Sequence, residues 1–145
     1  MALEIERRFL IKNDHWKNLI TKRIFIEQGY LSNSLDDWII RIRFNGKEFK
    51  ITLKKHITSF TNFEFEYPIP QSDGEKIMSN LTKTIKKERF FVVVKNKSWV
   101  IDCFKEKNYP LEIAEIELAH EQEEIIIPSF ISCLLYTSDA ADEKV

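Results

Sequence analysis

Residues 38–54 have the sequence WIIRIRFNGKEFKITLK, and this segment is the clearest indication of the fold. Apolar and charged residues alternate on both sides of Asn45-Gly46, and alternation with period two is typical of a strand with one buried face. An Asn-Gly pair between two such runs is a strong signal for a β-hairpin. The segment therefore predicts two antiparallel strands joined by a tight turn.

The same alternation recurs along the chain and predicts a mainly β (α+β) fold with about eight strands. Because short turns join most of the strands, the sheet should be antiparallel, and eight strands suggest a closed barrel or a sandwich. The predicted strands cover residues 3–10, 23–31, 38–44, 49–54, 63–67, 87–94, 99–104 and 111–118. Two short helices are expected beside them, one after Asn13 or Asp14 and one opened by a capping box from Ser72 to Glu75.

Composition limits the possible functions. The chain has 145 residues, the size of one domain, and a net charge of -1, which argues against a nucleic-acid partner. No secretory signal or run of 18 apolar residues is visible, so no membrane partner is expected. Cys103 and Cys133 lie far apart and form no metal-binding or redox motif. We therefore expect a cytoplasmic protein.

Charged residues of one sign repeat at alternate positions of nearly every predicted strand. Residues at i and i+2 share a face about 6.6 Å apart, so like charges there repel one another. An ordinary solvated sheet face is the simplest interpretation, and a barrel with charges outward around an apolar ligand is another. The repeated same-sign sets instead favour inward faces, with the acids neutralised by a divalent cation and the bases by phosphate. The sets are Glu4, Glu6, Glu64, Glu66, Asp102, Glu115 and Glu117, and Arg8, Arg41, Arg43, Lys50, Lys54, Lys87 and Arg89.

From residue 3 to about residue 130 the chain resembles the CYTH, or triphosphate tunnel metalloenzyme, superfamily. The opening residues 4–9 resemble its ExExK signature, and residues 28–31 resemble its QGYL motif. Residues 41–43 match RxR, residues 52–54 match TxK, and residues 114–118 match AEIEL. Residues 64–70 resemble a common bacterial form, residues 87–90 resemble KxRY, and residues 99–104 resemble WxxDxF. The resemblance is specific because all of these motifs occur along the chain in the order that the family has.

The resemblance implies an eight-stranded antiparallel β-barrel tunnel with a few peripheral helices. It implies divalent-metal-dependent hydrolysis of inorganic triphosphate or of a nucleoside or other organic triphosphate, with Mg²⁺ or Mn²⁺ as cofactor. The alternatives are a class IV-like adenylate cyclase and a catalytically weak triphosphate- or polyphosphate-binding module. Family members are often dimers, which leaves a homodimer open.

The resemblance also assigns roles to particular residues. Those expected to bind the triphosphate are Arg8, Arg41, Arg43, Lys54, Lys87 and Arg89. The expected metal ligands are Glu4, Glu6, Asp102, Glu115 and Glu117. The expected catalytic residues are Arg8, Lys87 and, through its hydroxyl, Tyr30.

Several positions depart from the family pattern. Arg8 stands where Lys is usual, His56 where many bacterial relatives have a second Lys, Asn62 where they often have Arg, and Phe90 where Tyr is usual. These changes are expected to weaken the phosphate grip or alter the substrate. Residues 132–142 resemble translated sequencing adapter, and the hypothesis is that the residues from about Ser132 onward are not natural. We therefore expect a tunnel domain over residues 1–131, lacking the family's C-terminal segment, and a non-native tail beyond it.

Overall fold

The computed structural model describes residues 2–33 and 37–135. Its strands are β1 (Leu3–Ile11), β2 (Ile20–Asn33), β3 (Ile39–Phe44), β4 (Phe49–His56), β5 (Thr61–Ile69), β6 (Thr84–Val94), β7 (Lys97–Phe104), β8 (Glu112–Glu117) and β9 (Ile131–Leu135). One α-helix, α1 (Gln71–Ser79), and two 3-10 helices, His15–Leu19 and Glu106–Asn108, complete the described elements. The predicted mainly β architecture is confirmed.

Eight of the strands form a closed antiparallel ring. The hydrogen-bonded order runs β5-β4-β3-β2-β6-β7-β8-β1, and β1 also pairs with β5, which closes the barrel. β1 closes it with its first residues, because Leu3 to Ile5 lie opposite β5 while Glu6 to Leu10 lie opposite β8. β9 then pairs with the end of β1. The expected eight-stranded barrel is therefore confirmed, with a ninth strand added at its edge.

The hairpin forms where Asn45-Gly46 predicts it. Gly46 has a φ of +93°, a value that glycine adopts readily. The Asn45 side-chain oxygen accepts hydrogen bonds from the backbone N–H groups of Lys47 and Glu48, which stabilises the turn. β3 and β4 then pair so that Arg41 lies opposite Thr52 and Arg43 lies opposite Lys50.

The helix predictions are partly wrong. α1 begins at Gln71 after Pro70, with no side-chain cap, so the predicted capping box does not form. The pyrrolidine ring fixes the backbone of Pro70 near the angle that the helix entry needs, and a capping side chain is not required. The helix predicted after Asn13 or Asp14 is a five-residue 3-10 helix that ends at Leu19, and β2 begins at the next residue, Ile20.

The main apolar core lies outside the ring rather than within it. It packs on the outer faces of β1, β6, β7 and β8, beneath the first 3-10 helix and the segment that leads into β9. Its buried members are Phe9, Trp16, Val92, Trp99, Ile101, Ala114, Ile116, Leu118, Phe130 and Ile131. A second outer cluster of Ile42, Phe49 and Met78 lies under α1. Much of the inner face is thereby left for polar side chains, beside a small inner apolar cluster of Ile85, Phe104 and Ile113.

No helix in the described ranges has the length and apolar character needed to cross a membrane. The proposed boundary after residue 131 stays a prediction. β9 runs across it, because Leu135 lies opposite Phe9 and Ile131 lies opposite Ile11. The rest of the proposed non-native tail, residues 136–145, lies outside the described residues.

Candidate active site

A charged cavity of about 200 Å³ lies inside the barrel. Five bases and six acids line it, and every one of them belongs to the sets expected on the inner faces. They are Arg8, Arg41, Arg43, Lys54 and Arg89, with Glu4, Glu6, Glu64, Glu66, Glu115 and Glu117. The inward orientation of these residues is confirmed, so the interpretations that place the charges outward are wrong. Three predicted site residues, Lys87, Asp102 and Tyr30, are not part of this lining.

A network of alternating charges runs along β1. The Lys54 ammonium lies 3.0 Å from Glu4 and 3.8 Å from Glu6. The Arg8 guanidinium lies 3.1 Å from Glu6 and 3.1 Å from Glu115. Burial opposes the charge on Lys54, but Glu4 and Glu6 raise its pKa above the ordinary value, so the ammonium stays charged. These pairs compensate the charges that the barrel takes out of water.

The carboxylates nevertheless outnumber the bases that reach them. Burial and the charge of Glu115 raise the pKa of Glu6 well above its ordinary range. Burial and the charge of Glu4 raise the pKa of Glu64 to about 7. Burial and Glu4 also raise the pKa of Glu117. The Oε2 atom of Glu6 is buried and has no hydrogen-bond partner among the described residues. This part of the cavity would therefore be stabilised by a cation.

The basic side of the cavity is built on β3 and β4. Arg41 donates to the Thr52 hydroxyl at 3.3 Å and lies 4.0 Å from Glu66. The Thr52 hydroxyl in turn donates to Glu66 at 3.1 Å. Lys50 lies 3.6 Å from the same carboxylate. Glu66 thus pairs with bases, and the set presents guanidinium groups suited to phosphate oxygens.

Lys87 and Asp102 form a buried ion pair next to the cavity rather than part of its wall. The Lys87 ammonium lies 2.8 Å from Asp102 and is only 1% exposed. Arg89 binds both carboxylate oxygens of Asp102, at 2.8 and 2.9 Å. Burial opposes ionisation of Asp102, but Arg89 and Lys87 outweigh it and hold the pKa of that carboxyl well below its usual range. Asp102 holds two bases in place here, and its role as a metal ligand stays a prediction.

Tyr30 lies behind the cavity, and its neighbour Gln28 was given no role from the sequence. The Tyr30 ring packs against the inner apolar cluster of Ile85, Phe104 and Ile113. Gln28 is fully buried, donates to the Tyr30 hydroxyl at 3.0 Å and accepts a hydrogen bond from Arg43 at 2.8 Å. The signal that could have revealed it is its alternate position with Tyr30 on β2, which puts both side chains on one face.

Two departures from the family pattern contact each other. Nδ1 of His56 lies 2.7 Å from the side-chain oxygen of Asn62, directly across β4 and β5. The Asn62 amide donates to Glu4 at 3.5 Å. Neither residue lines the cavity, so the bases that reach it are those on the inner faces of β1, β3, β4 and β6.

The cavity carboxylates fit a hard divalent cation by chemistry, since Mg²⁺ prefers oxygen ligands and Mn²⁺ also binds carboxylates well. The buried Oε2 of Glu6, to which no residue of the described ranges forms a hydrogen bond, is consistent with such an ion. Within the described ranges no three carboxylate, histidine or cysteine side chains already converge closely enough to hold a metal. Binding would therefore require these side chains to exchange some of their present ion pairs.

Comparison with known proteins agrees with the architecture. The model of the CYTH domain matches residues 2–131. The inorganic triphosphatase of Acetivibrio thermocellus is 34% identical over 134 residues, covering 90% of this chain and 84% of that protein. The crystal structure of the inorganic triphosphatase NE1496 superposes with a TM-score of 0.67 at 26% identity, over 96% of this chain and 89% of that one. A conserved hypothetical protein from Pyrococcus furiosus shares the fold with a TM-score of 0.63 at 17% identity, over 82% of this chain and 80% of that one. The chain therefore belongs to the CYTH domain family.

Proposed function

We propose that this protein hydrolyses inorganic triphosphate to pyrophosphate and phosphate in the charged cavity. The observation that carries the proposal is the cavity itself, in which bases and acids crowd about 200 Å³ at the centre of a CYTH barrel. The relative at 34% identity, an inorganic triphosphatase, supports the same reaction. An interior of this kind serves no packing purpose, because buried charges are costly unless a ligand or partner compensates them.

The reaction needs positioning and neutralisation more than covalent chemistry. Hydrolysis breaks the bond between the terminal phosphorus and its bridging oxygen, and water supplies the new oxygen of the released phosphate. Negative charge is distributed over the phosphoryl oxygens in the transition state. Arg8, Arg41, Arg43, Lys54 and Arg89 line the cavity and would stabilise that charge in the partly enclosed interior of the barrel.

A divalent cation, Mg²⁺ or Mn²⁺, belongs to this proposal. Glu4, Glu6, Glu115 and Glu117 line the cavity and would hold it, with Asp102 joining only if it released Lys87 or Arg89. Such an ion neutralises phosphate oxygens and lowers the pKa of bound water. The raised pKa values of Glu6 and Glu117 mean that their ionised forms are disfavoured in the free protein, and a bound cation would stabilise those forms.

The test is an assay of products from several substrates. Purified protein is incubated with inorganic triphosphate or ATP, with Mg²⁺, with Mn²⁺ or with chelator, and phosphate, pyrophosphate and cyclic AMP are measured. The proposal predicts equal amounts of phosphate and pyrophosphate from triphosphate, and loss of activity with chelator. Cyclic AMP from ATP would favour the cyclase instead, and triphosphate binding without turnover would favour a binding module.

A matched pair of variants shows whether the cavity is the site. Arg41→Met removes a buried cavity base, and Lys86→Gln removes an exposed lysine that pairs on the surface with Glu106 at 3.6 Å. We expect Arg41→Met to lower kcat/KM for triphosphate about 100-fold and Lys86→Gln to leave it unchanged. Equal activity of the two variants would contradict the site.

A further inference from the structure

Gln28 lies behind one of the cavity bases and connects it to the packed interior. Its side chain is fully buried, and β2 and β3 pair so that Gln28 lies directly opposite Arg43. The Nε of Arg43 donates to the Gln28 side-chain oxygen at 2.8 Å. On the other side, the Gln28 amide nitrogen donates to the Tyr30 hydroxyl at 3.0 Å. The amide thus bridges a cavity guanidinium and a tyrosine.

The chemistry of the partners fixes the orientation of this amide. A guanidinium only donates hydrogen bonds, so the oxygen of Gln28 must face Arg43 and its nitrogen must face Tyr30. The Tyr30 ring is in turn held by packing against Ile85, Phe104 and Ile113. The Arg43 guanidinium is thus linked, through Gln28 and Tyr30, to an apolar cluster that does not line the cavity.

We propose that Gln28 is a positioning residue that holds Arg43 ready for the phosphate chain, a role that rests on the proposed triphosphatase function. An arginine side chain has many rotamers and loses conformational entropy when it is fixed. Because Gln28 fixes the guanidinium in the free protein, the ordering is complete before substrate arrives. Arg43 would contact phosphate in both the ground state and the transition state, so the benefit appears in KM rather than in kcat.

The test is a double-mutant cycle on steady-state kinetics with inorganic triphosphate. Gln28→Met keeps the length of the side chain and removes the acceptor, and we expect KM to rise about tenfold with kcat within about twofold. Tyr30→Phe removes the hydroxyl that accepts a hydrogen bond from the Gln28 amide nitrogen, and we expect KM to rise about threefold. In an Arg43→Met background, neither Gln28→Met nor Tyr30→Phe should raise KM any further, because each acts on KM through Arg43.

Thr61→Val is the matched control. Thr61 is a buried polar residue of β5 whose hydroxyl donates to Glu121 and not to any cavity residue, so its variant should keep the wild-type KM. Independent, multiplying effects of Gln28→Met and Arg43→Met would overturn the positioning role, and so would a change in kcat alone. If Gln28→Met does not fold, Tyr30→Phe carries the same cycle.

The wild-type protein separates this inference from the proposal on which it rests. If wild type binds triphosphate in a calorimeter but does not hydrolyse it, the proposed reaction is wrong. The cycle is then measured on the dissociation constant, where a coupled tenfold weakening by Gln28→Met still supports the positioning role. If wild type neither binds nor hydrolyses triphosphate, both the function and this inference fall.

Discussion

Asp102→Asn removes the negative charge that holds two bases beside the cavity. Asp102 is 6% exposed, and Lys87, whose ammonium lies 2.8 Å away, is 1% exposed, so water cannot replace the lost partner. Arg89 loses both of its hydrogen bonds to a carboxylate. Breaking a buried ion pair by removing one partner costs about 3–5 kcal/mol. Because asparagine keeps the size and one acceptor oxygen, we expect a loss of about 3 kcal/mol in the free energy of unfolding at neutral pH.

The same charge predicts how this loss depends on pH. Burial opposes ionisation of Asp102, but Arg89 and Lys87 prevail and lower its pKa in the folded protein. The unfolded carboxyl therefore takes up its proton at a higher pH than the folded one. The stabilisation is complete above the unfolded value, about pH 4, and is lost as the pH falls toward the folded value. The difference between wild type and Asp102→Asn should be constant from about pH 8 to about pH 5 and shrink below about pH 4.

Urea unfolding, followed by the fluorescence of the buried Trp16 and Trp99, measures both effects. Lys86→Gln, which breaks only the exposed pair with Glu106, is the control and should leave the unfolding curve unchanged. A loss below about 1 kcal/mol for Asp102→Asn would refute the reasoning, because it would mean that the buried bases do not depend on this carboxylate. An equal loss at about pH 3 and at neutral pH would refute it as well.

Three further changes test other parts of the molecule. Burial and Glu4 raise the pKa of Glu64 to about 7, so the folded protein loses stability as the pH rises toward 7. In urea titrations, Glu64→Gln should therefore raise the free energy of unfolding by about 1–2 kcal/mol at pH 8 and leave it unchanged near pH 4. An equal increase at both pH values would contradict this. Burial and a nearby carboxylate raise the pKa of Cys103 to about 12, so iodoacetamide should modify this thiol at neutral pH at least about 100-fold more slowly than free cysteine. Mass spectrometry of a Cys133→Ser variant measures the rate of modification. A rate equal to that of free cysteine would disprove the prediction. A Cβ on Gly74 would lie 2.2 Å from Cγ of Phe49. Gly74→Ala should therefore lower the free energy of unfolding by about 1–3 kcal/mol, even though alanine has a better helix propensity than glycine. A higher melting temperature for this variant would exclude the clash.

Strand alternation predicted the antiparallel strands and the side chains that share a face, whereas a closed barrel rather than a sandwich was implied by the family resemblance. Glu4 and Glu6 alternate with Leu3 and Ile5, and both carboxylates line the cavity as expected. This works because a side chain's face depends only on its position along its own strand. The helices were harder to predict, because Pro70 starts α1 without the side-chain cap that Ser72 suggested.

The partners of each inner residue could not be predicted, because they depend on how the strands are staggered when the barrel closes. Lys87 and Asp102 lie on inner faces as expected, yet they pair with each other instead of lining the cavity. Gln28 is uncharged and was missed, because its importance comes from the cross-strand neighbour Arg43. The sequence thus predicted the charged side chains that line the cavity, but not the uncharged Gln28 or the pairs that these side chains form.

The outer position of the apolar core has a consequence for how the chain tolerates change. Neighbouring positions of one strand alternate between packing residues such as Phe9 and Ile116 and cavity residues such as Arg8 and Glu115. In a scan of all substitutions along β1 and β8, the effect on folding should therefore alternate with a period of two residues. Substitutions at the packing positions should lower the yield of folded protein most, and substitutions at the cavity positions should also alter which anions the protein accepts.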